Sequence, residues 1–326
     1  MTVLVTGGAG YIGGHVLRVL GAAGRDVLVV DDLSTGRAAR LDGVPLLRLD
    51  LADPGCVPHL AGAMRTHGVT SVVHLAARKR VHESVLRPLW YLEQNVGGVA
   101  HVIAAMERAG VASIVFSSSA AVYGCPANDL VHEDDALAPV NPYGRTKLAG
   151  EWLVRSAARA WGLRAVSLRY FNVAGAGAPE LGDDVVANLV TCALDRLARG
   201  QRPEVFGTGY PTPDGSCVRD FVHVSDLAEA HVVALDRLDR GGPLSDAVNI
   251  GLGTGASVLE VLERLGAVSG LDTTPTVLGP RAGDPARVVA AVDRARDELG
   301  WVARSDLSDI LLSAWQSWQA GPRAIR

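Results

Sequence analysis

Thr6-Gly7-Gly8-Ala9-Gly10-Tyr11-Ile12-Gly13 decides how this chain folds. The stretch follows a short apolar run, Val3–Thr6, and opens an amphipathic helical pattern over Ile12–Ala23. Glycines at 7, 10 and 13 permit a tight turn, close approach of backbone to a pyrophosphate, and close packing of helix on strand. The start of the following helix offers unpaired N–H groups to an anion. A glycine triplet alone also suits an ordinary strand–helix turn. The next strand argues for the dinucleotide reading, because it ends at Asp31. A carboxylate there accepts hydrogen bonds from adenosine ribose hydroxyls and repels a 2′-phosphate. No arginine immediately follows Asp31, so NAD is expected rather than NADP. Asp50-Leu51 ends the third strand where an adenine contact belongs, although Asp50 also suits a helix cap before Pro54.

Outward from this loop, short β-rich runs alternate with helical patterns, as in a parallel sheet covered by helices. Strands are expected at Val3–Thr6, Val27–Val30, Leu46–Leu49, Ser71–Leu75, Ile114–Ser118 and Ala165–Arg169. Helices are expected near Ile12–Ala23, Pro88–Ala109 and Pro142–Trp161. After about Asn172 the rhythm changes, with helices near Val185–Arg199, Ser225–Leu238 and Asp306–Gln319. Val248–Ile250 reads as a strand returning to the main sheet. The expected fold is α/β: a Rossmann-like doubly wound parallel sheet over residues 1–172, taking back segments near 222–250. A smaller, discontinuous C-terminal α/β domain covers 173–326, and the cleft between the two is the expected ligand site.

Composition sets bounds on function. A hydrophobic share of 48% with 20% charged residues is an ordinary globular mix. The formal net charge of -4 suggests neither a nucleic-acid nor a polybasic membrane partner. Met1–Gly7 lacks the basic start of a signal peptide, and its apolar run is too short to span a bilayer. Cys56, Cys125, Cys192 and Cys217 lie far apart, which argues against a disulfide framework or a Cys-based metal site. All four are expected to be buried, inert thiols in a cytoplasmic protein. No metal is expected, since no HExxH pair occurs.

The second strong pattern is Asn141-Pro142-Tyr143-Gly144-Arg145-Thr146-Lys147. Asn141 suits an N-cap and Pro142 the first helical position. Tyr143 and Lys147 then share one helix face. An ammonium beside a phenol is expected to lower its pKa and make it a base near neutrality. A surface helix with a snorkelling lysine would show the same spacing. Upstream, Ser117-Ser118-Ser119 ends the fifth strand at the sheet's carboxyl edge. Strand-end serine, YxxxK helix and glycine loop occur together in the order an oxidoreductase-type site needs.

With these segments in hand, the chain resembles the UDP-glucose 4-epimerase family of extended short-chain dehydrogenases/reductases, over nearly its whole length. The matching segments include Phe116-Ser-Ser-Ser-Ala-Ala-Val-Tyr-Gly124, Asn141–Lys147, Arg169-Tyr-Phe-Asn172 and Ala187-Asn188-Leu189. The more specific ones are Phe206-Gly-Thr-Gly-Tyr-Pro-Thr-Pro-Asp-Gly215, Val218-Arg219-Asp220 and Arg281-Ala-Gly-Asp284. The resemblance implies NAD-dependent inversion at C4 of a UDP-hexose, with Ser119, Tyr143 and Lys147 catalytic. It implies cofactor contacts from the glycine loop with Tyr11 and Ile12, and from Asp31, Asp32, Leu33, Ser34, Thr35 and Gly36. Asp50, Leu51, Leu75, Ala76, Ala77, Lys79, Gln94 and Phe171 complete that set. The implied substrate contacts are Lys79, Asn172, Asn188, Leu189, Glu204, Val205 and Phe206, with Arg219, Arg281, Asp284 and Val288. Arginines suit a diphosphate because their donors are charged and bidentate.

The chain also departs from the family. Gln94-Asn95 replaces Asn-Asn, and Ala77-Arg78-Lys79-Arg80-Val81-His82 is more basic than usual. Glu204 stands where a small apolar residue near the uracil is usual. Ala120-Ala121 follow Ser119, and neither can shuttle protons, which argues against the sibling 4,6-dehydratases and decarboxylases. A UDP-glucuronate 4-epimerase stays open, with Arg287 reaching a C6 carboxylate, as does an NAD-binding regulator that has lost activity. Val288 stands where a bulky tyrosine would confine the pocket to glucose and galactose, so an N-acetyl sugar is also expected to fit. A homodimer is expected from second apolar faces on the helices near Pro88–Ala109 and Pro142–Trp161, through Val96, Val102, Ile103, Leu148, Leu153 and Val154.

Overall fold

Val3 and Val5 face one side of the first strand and Leu4 the other, and the two sides feed different cores. The same split recurs at Val29 against Leu28 and Val30, and at Val115 against Ile114 and Phe116. Side chains alternate along a strand, so an apolar run buries both faces only when helices cover both. This computed structural model describes residues 1–242, 244–281 and 283–321.

In chain order the strands are β1 (Thr2–Thr6), β2 (Asp26–Asp31), β3 (Leu46–Arg48), β4 (Val69–His74), β5 (Ser113–Ser119) and β6 (Arg164–Tyr170). They continue as β7 (Asn172–Ala174), β8 (Glu204–Phe206), β9 (Val218–His223), β10 (Ala247–Ile250), β11 (Gly255–Ser257), β12 (Thr276–Leu278) and β13 (Arg287–Val288). Seven form one sheet in the order β10-β6-β5-β4-β1-β2-β3. Every pairing in it is parallel. The order reverses between β1 and β4, and a crevice opens beyond the carboxyl ends of the strands at such a switch point. Helices Tyr11–Ala22 and Val224–Arg240 pack together on one face. On the other face, Gly98–Ala109 lies between Cys56–Thr66 and Pro142–Trp161.

The later segments form a smaller layer. There β9 is flanked by β11 and β13 and also pairs with β7, while β8 and β12 form a separate two-stranded parallel sheet. Its own core gathers Val190, Leu194, Val261, Leu265, Ile310 and Leu311. Among the described residues, no helix is long and apolar enough to cross a membrane.

Two expected helices differ in detail. The helix anticipated over Val185–Arg199 begins only at Leu189, because Asn188 caps it: its side chain accepts from the Thr191 amide at 2.9 Å, and Thr191 bonds back. The run Pro88–Ala109 is interrupted by a π-helical turn at Leu92–Gly97. The wider turn carries Asn95 inward, where its amide bonds both backbone groups of Arg78 and the Thr146 hydroxyl.

The carboxyl edge of the sheet is braced by a buried ion pair. Arg169 on β6 donates twice to Glu151, at 2.9 and 2.8 Å, and both side chains are almost fully buried. Ser118 donates to the same carboxylate at 2.5 Å. Arg169 also bonds the Tyr123 hydroxyl and the Glu133 carbonyl. Removing one partner of a buried pair strands the other charge and costs about 3–5 kcal/mol. Glu151→Ala is therefore expected to lower the unfolding free energy by about that amount, read from urea melts; a loss below about 1 kcal/mol would refute the brace.

Candidate active site

The glycine loop has the shape of a cradle. Gly7 sits at φ 71, and a Cβ there would lie 2.8 Å from the Ala76 amide. A Cβ on Gly13 would press into the carbonyls of Gly7 and Gly8. The helix Tyr11–Ala22 has no side-chain cap, so its first N–H groups open toward the crevice. Asp31 is buried at the end of β2 and takes the Ala9 amide at 3.0 Å and the Leu33 amide at 2.8 Å. Burial pushes its carboxyl up, and these two amides pull the other way without cancelling the rise. Each carboxylate oxygen keeps a further lone pair, so Asp31 shapes the loop and still has capacity for a ribose hydroxyl.

These features fit a dinucleotide, and the expected cofactor positions largely come together. The glycine loop, Tyr11, Ile12, Asp31, Asp32, Ser34, Thr35 and Gly36 line a single cleft of about 280 Å³. Asp50, Leu51, Leu75, Ala76, Ala77, Lys79 and Gln94 line it too. Leu33 and Phe171 do not: Leu33 packs against the sheet core and Phe171 joins a cluster with Val122, Tyr123 and Val288. Asp50 caps no helix, since its carboxylate takes the Ala52 amide and the next helix starts at Cys56.

Ser119 ends β5, and its hydroxyl accepts from the Ala121 amide at 3.2 Å. Asn141 caps the helix Pro142–Trp161 through the Gly144 amide at 2.9 Å, with proline at the first position. Gly144 lets this helix approach the turn after β5: a Cβ there would sit 2.5 Å from the Ala121 carbonyl. The close approach places the Tyr143 phenol where the Ser119 hydroxyl pulls its pKa down. Lys147, one turn on, is buried, and its ammonium donates to the Ser117 carbonyl at 2.7 Å.

The electrostatics differ from the expectation of a phenol lowered by Lys147. Burial pushes Tyr143 up, and the only counterweight is the Ser119 hydrogen bond. The Lys147 nitrogen lies 5.9 Å from the Tyr143 ring centroid and spends its charge on a carbonyl. Burial also pulls Lys147 down to about 7, with Glu151 opposing. In the chain alone, desolvation is the largest influence on both groups.

Lys79, on the loop after β4, lines the cofactor cleft, and the other expected substrate residues lie on the smaller layer. Arg219 pairs with Asp284. Arg281 stacks on the Phe206 ring at 3.6 Å. Glu204 pairs with Arg196 at 2.9 Å, beside buried Val205, so its charge is met within the layer. Asn172 is exposed on β7, while Asn188 is occupied as the cap before Leu189 and donates to Asp183. Asp220, next to Arg219, is the organiser that sequence reasoning missed. Its carboxylate takes the amides of Leu252, Gly253 and Ala290, and burial pushes it up to about 6. Arg287 turns away from Val288 and donates to the Asp129 carbonyl at 3.1 Å, which removes it as a reach toward a C6 carboxylate.

Two further differences stand out. Cys125 is exposed and Cys192 partly so, against the expectation of four buried thiols; Cys125 sits on a surface turn near Gly283. The cleft is also lined by Arg40 and Arg78, neither of which was expected. Arg78 falls in the unusually basic segment, and that excess of charge was the signal for it.

Residues 3–251 match the NAD dependent epimerase/dehydratase family. The UDP-glucose 4-epimerase of Azospirillum brasilense is 46% identical over 323 residues, covering 97% of this chain and 91% of that one. The crystal structure of UDP-glucose-4-epimerase from Stenotrophomonas maltophila, with bound NAD and formylated UDP-arabinopyranose, superposes with a TM-score of 0.92 at 39% identity and covers 98% of both chains. The UDP-Glc/GlcNAc 4-epimerase of Campylobacter jejuni superposes with a TM-score of 0.85 at 35% identity, covering 98% of this chain and 99% of that one. With a glycine cradle, a strand-end aspartate and a serine–tyrosine–lysine set on one parallel sheet, the chain belongs to the NAD dependent epimerase/dehydratase family.

Proposed function

We propose that this protein inverts C4 of a UDP-hexose, interconverting UDP-glucose and UDP-galactose with NAD as a resident cofactor. The observation that carries the reading is the close approach of the Tyr143 helix, at Gly144, to the turn that follows Ser119 at the end of β5, with alanines and no acid following the serine. When bound, NAD supplies reversible hydride acceptance at the sugar's C4, so it ends each cycle unchanged. The step requires Tyr143 as the phenolate: its oxygen takes the C4 hydroxyl proton and returns it after the sugar presents its other face. Ser119 hydrogen-bonds the same oxygen. Lys147 fixes the end of β5 through Ser117 and places a titratable amine behind the phenol. Arg219 and Arg281 are the charged donors suited to the diphosphate, with Asp284 exchanging its arginine for the nucleotide.

Tyr143→Phe is expected to keep the fold and the bound cofactor while cutting turnover by roughly 10²–10⁴-fold, the span of a general base. A coupled assay of UDP-galactose conversion on purified protein reads it, and an unchanged rate removes Tyr143 from the mechanism.

The sugar pocket is read as wide enough for an N-acetyl group. Val288 is buried in a cluster with Phe171 and Tyr123, and its side chain is much smaller than a tyrosine at the same position. UDP-GalNAc should therefore turn over alongside UDP-galactose, and Val288→Tyr should suppress the N-acetyl substrate selectively. Equal loss on both substrates would mean that Val288 merely packs the core. UDP-glucuronate is the weaker reading now that Arg287 faces Asp129.

The chain is further read as a cytoplasmic homodimer. Val102, Leu148 and Val154 belong to the single-chain core, so they do not form the pairing face. Leu86, Leu89, Leu92 and Trp152 do, being 67%, 75%, 54% and 56% exposed on adjacent helical segments. Leu89→Glu with Trp152→Glu should turn a dimer into a monomer in sedimentation at micromolar concentration; a wild-type monomer overturns the pairing.

A further inference from the structure

Arg78 and Gln94 are two departures from the family pattern that lie 16 positions apart and touch. The Arg78 Nε donates to the Gln94 side-chain oxygen at 2.9 Å. The same guanidinium reaches across the cleft: one terminal nitrogen donates to the Ser34 hydroxyl at 2.5 Å and the other to the Asp32 carboxylate at 2.8 Å. Its face lies 5.2 Å from the centroid of Trp90, another cleft residue. The backbone of Arg78 is pinned as well, its amide and carbonyl both held by Asn95. Ser34 in turn donates to Asp32, which closes the set.

These partners come from three places. Asp32 and Ser34 lie on the loop after β2, Arg78 on the loop after β4, and Gln94 on the π-helical turn. The two loops flank the switch point and form opposite lips of the cleft that Asp31 and the glycine loop floor. A side chain that bonds both lips crosses the opening. A glutamine at 94 has one more methylene than asparagine, which is what lets its oxygen meet an arginine anchored on the neighbouring loop. Arginine suits the task because its planar fork offers several fixed donors at once.

We propose that Arg78 is a latch that closes the cleft over the adenosine half of the dinucleotide and slows its escape, with Asp32, Ser34 and Gln94 as its catches. The inference rests on NAD occupying this cleft. Release requires the lips to part, and parting breaks a charge-assisted bond to Asp32 and the bonds to Ser34 and Gln94 together. The latch acts on retention of the cofactor and takes no part in the chemistry at Tyr143.

The test is the rate at which the holoenzyme loses NAD. Purified protein is diluted into an excess of an NAD-hydrolysing enzyme, and surviving bound cofactor is measured by acid extraction over time. Arg78→Leu is expected to lose NAD at least about tenfold faster than wild type, the scale of losing a charge-assisted bond. Arg78→Lys should fall between the two. Asp32→Asn should also accelerate loss, and Arg78→Leu with Asp32→Asn should be no faster than Arg78→Leu alone, since both open one latch. The melting temperature of the stripped chain should move little in either single variant. Unchanged release from Arg78→Leu, or effects of the two substitutions that simply multiply, overturns the latch while leaving NAD binding intact. Wild-type protein that neither carries nor takes up NAD overturns the functional reading and the latch with it.

Discussion

Seven parallel strands that all end at one edge impose the constraint on which the rest depends. Parallel strands need helices on both faces, and covering both faces sends the chain alternately above and below the sheet. Where it changes direction, between β1 and β4, no crossover can close the gap at the carboxyl edge. The glycine loop after β1 fills the floor of that gap, and the loops after β2 and β4 wall it. Ser119 emerges from the next strand along, so reaction chemistry and cofactor cradle stand side by side without any further device. Even the buried Glu151–Arg169 pair serves this edge, tying β6 to the helix that carries Tyr143 and Lys147.

Much of this was legible in the sequence because it is local. The six N-terminal strands followed from apolar runs bounded by turn residues, and the loop from glycines whose spacing permits only a few backbone paths. The start of the YxxxK helix followed from Asn141 and Pro142. What was not legible depends on contacts distant in sequence. Nothing near Asp220 indicates that it will gather amides from 252, 253 and 290. Nothing near Leu92 signals a wider helical turn, because its cause is the bonding of Asn95 to Arg78 and Thr146. The start of the helix after Asn188 was misplaced because the capping box outweighs the apolar Val185-Val186 run that precedes it.

The Tyr143–Lys147 pair shows why spacing gives roles more readily than energies. Position i,i+4 puts the two side chains on one face, and the structure keeps them there. Their ionisation is set by what else surrounds them. Desolvation moves the phenol up and the amine down, so the chain alone drives the two groups apart and does not charge the phenol. A buried amine with a pKa of about 7 changes its charge readily at physiological pH, a property that a surface lysine with the same spacing would lack.

The π-helical turn at Leu92–Gly97 amounts to one residue more than a regular helix would hold. An α-helix turns about 100° per residue. Deleting a single residue within the turn would restore regular winding and rotate everything on one side of it by about that angle. Gln94 would then leave the cleft wall and Asn95 its partners Arg78 and Thr146, or else the apolar stripe of Val99, Val102 and Met106 would leave the sheet. The segment therefore resists shortening although much of its outer surface is open to solvent. Its length is held by two faces at once, one reading the crevice and the other reading the core.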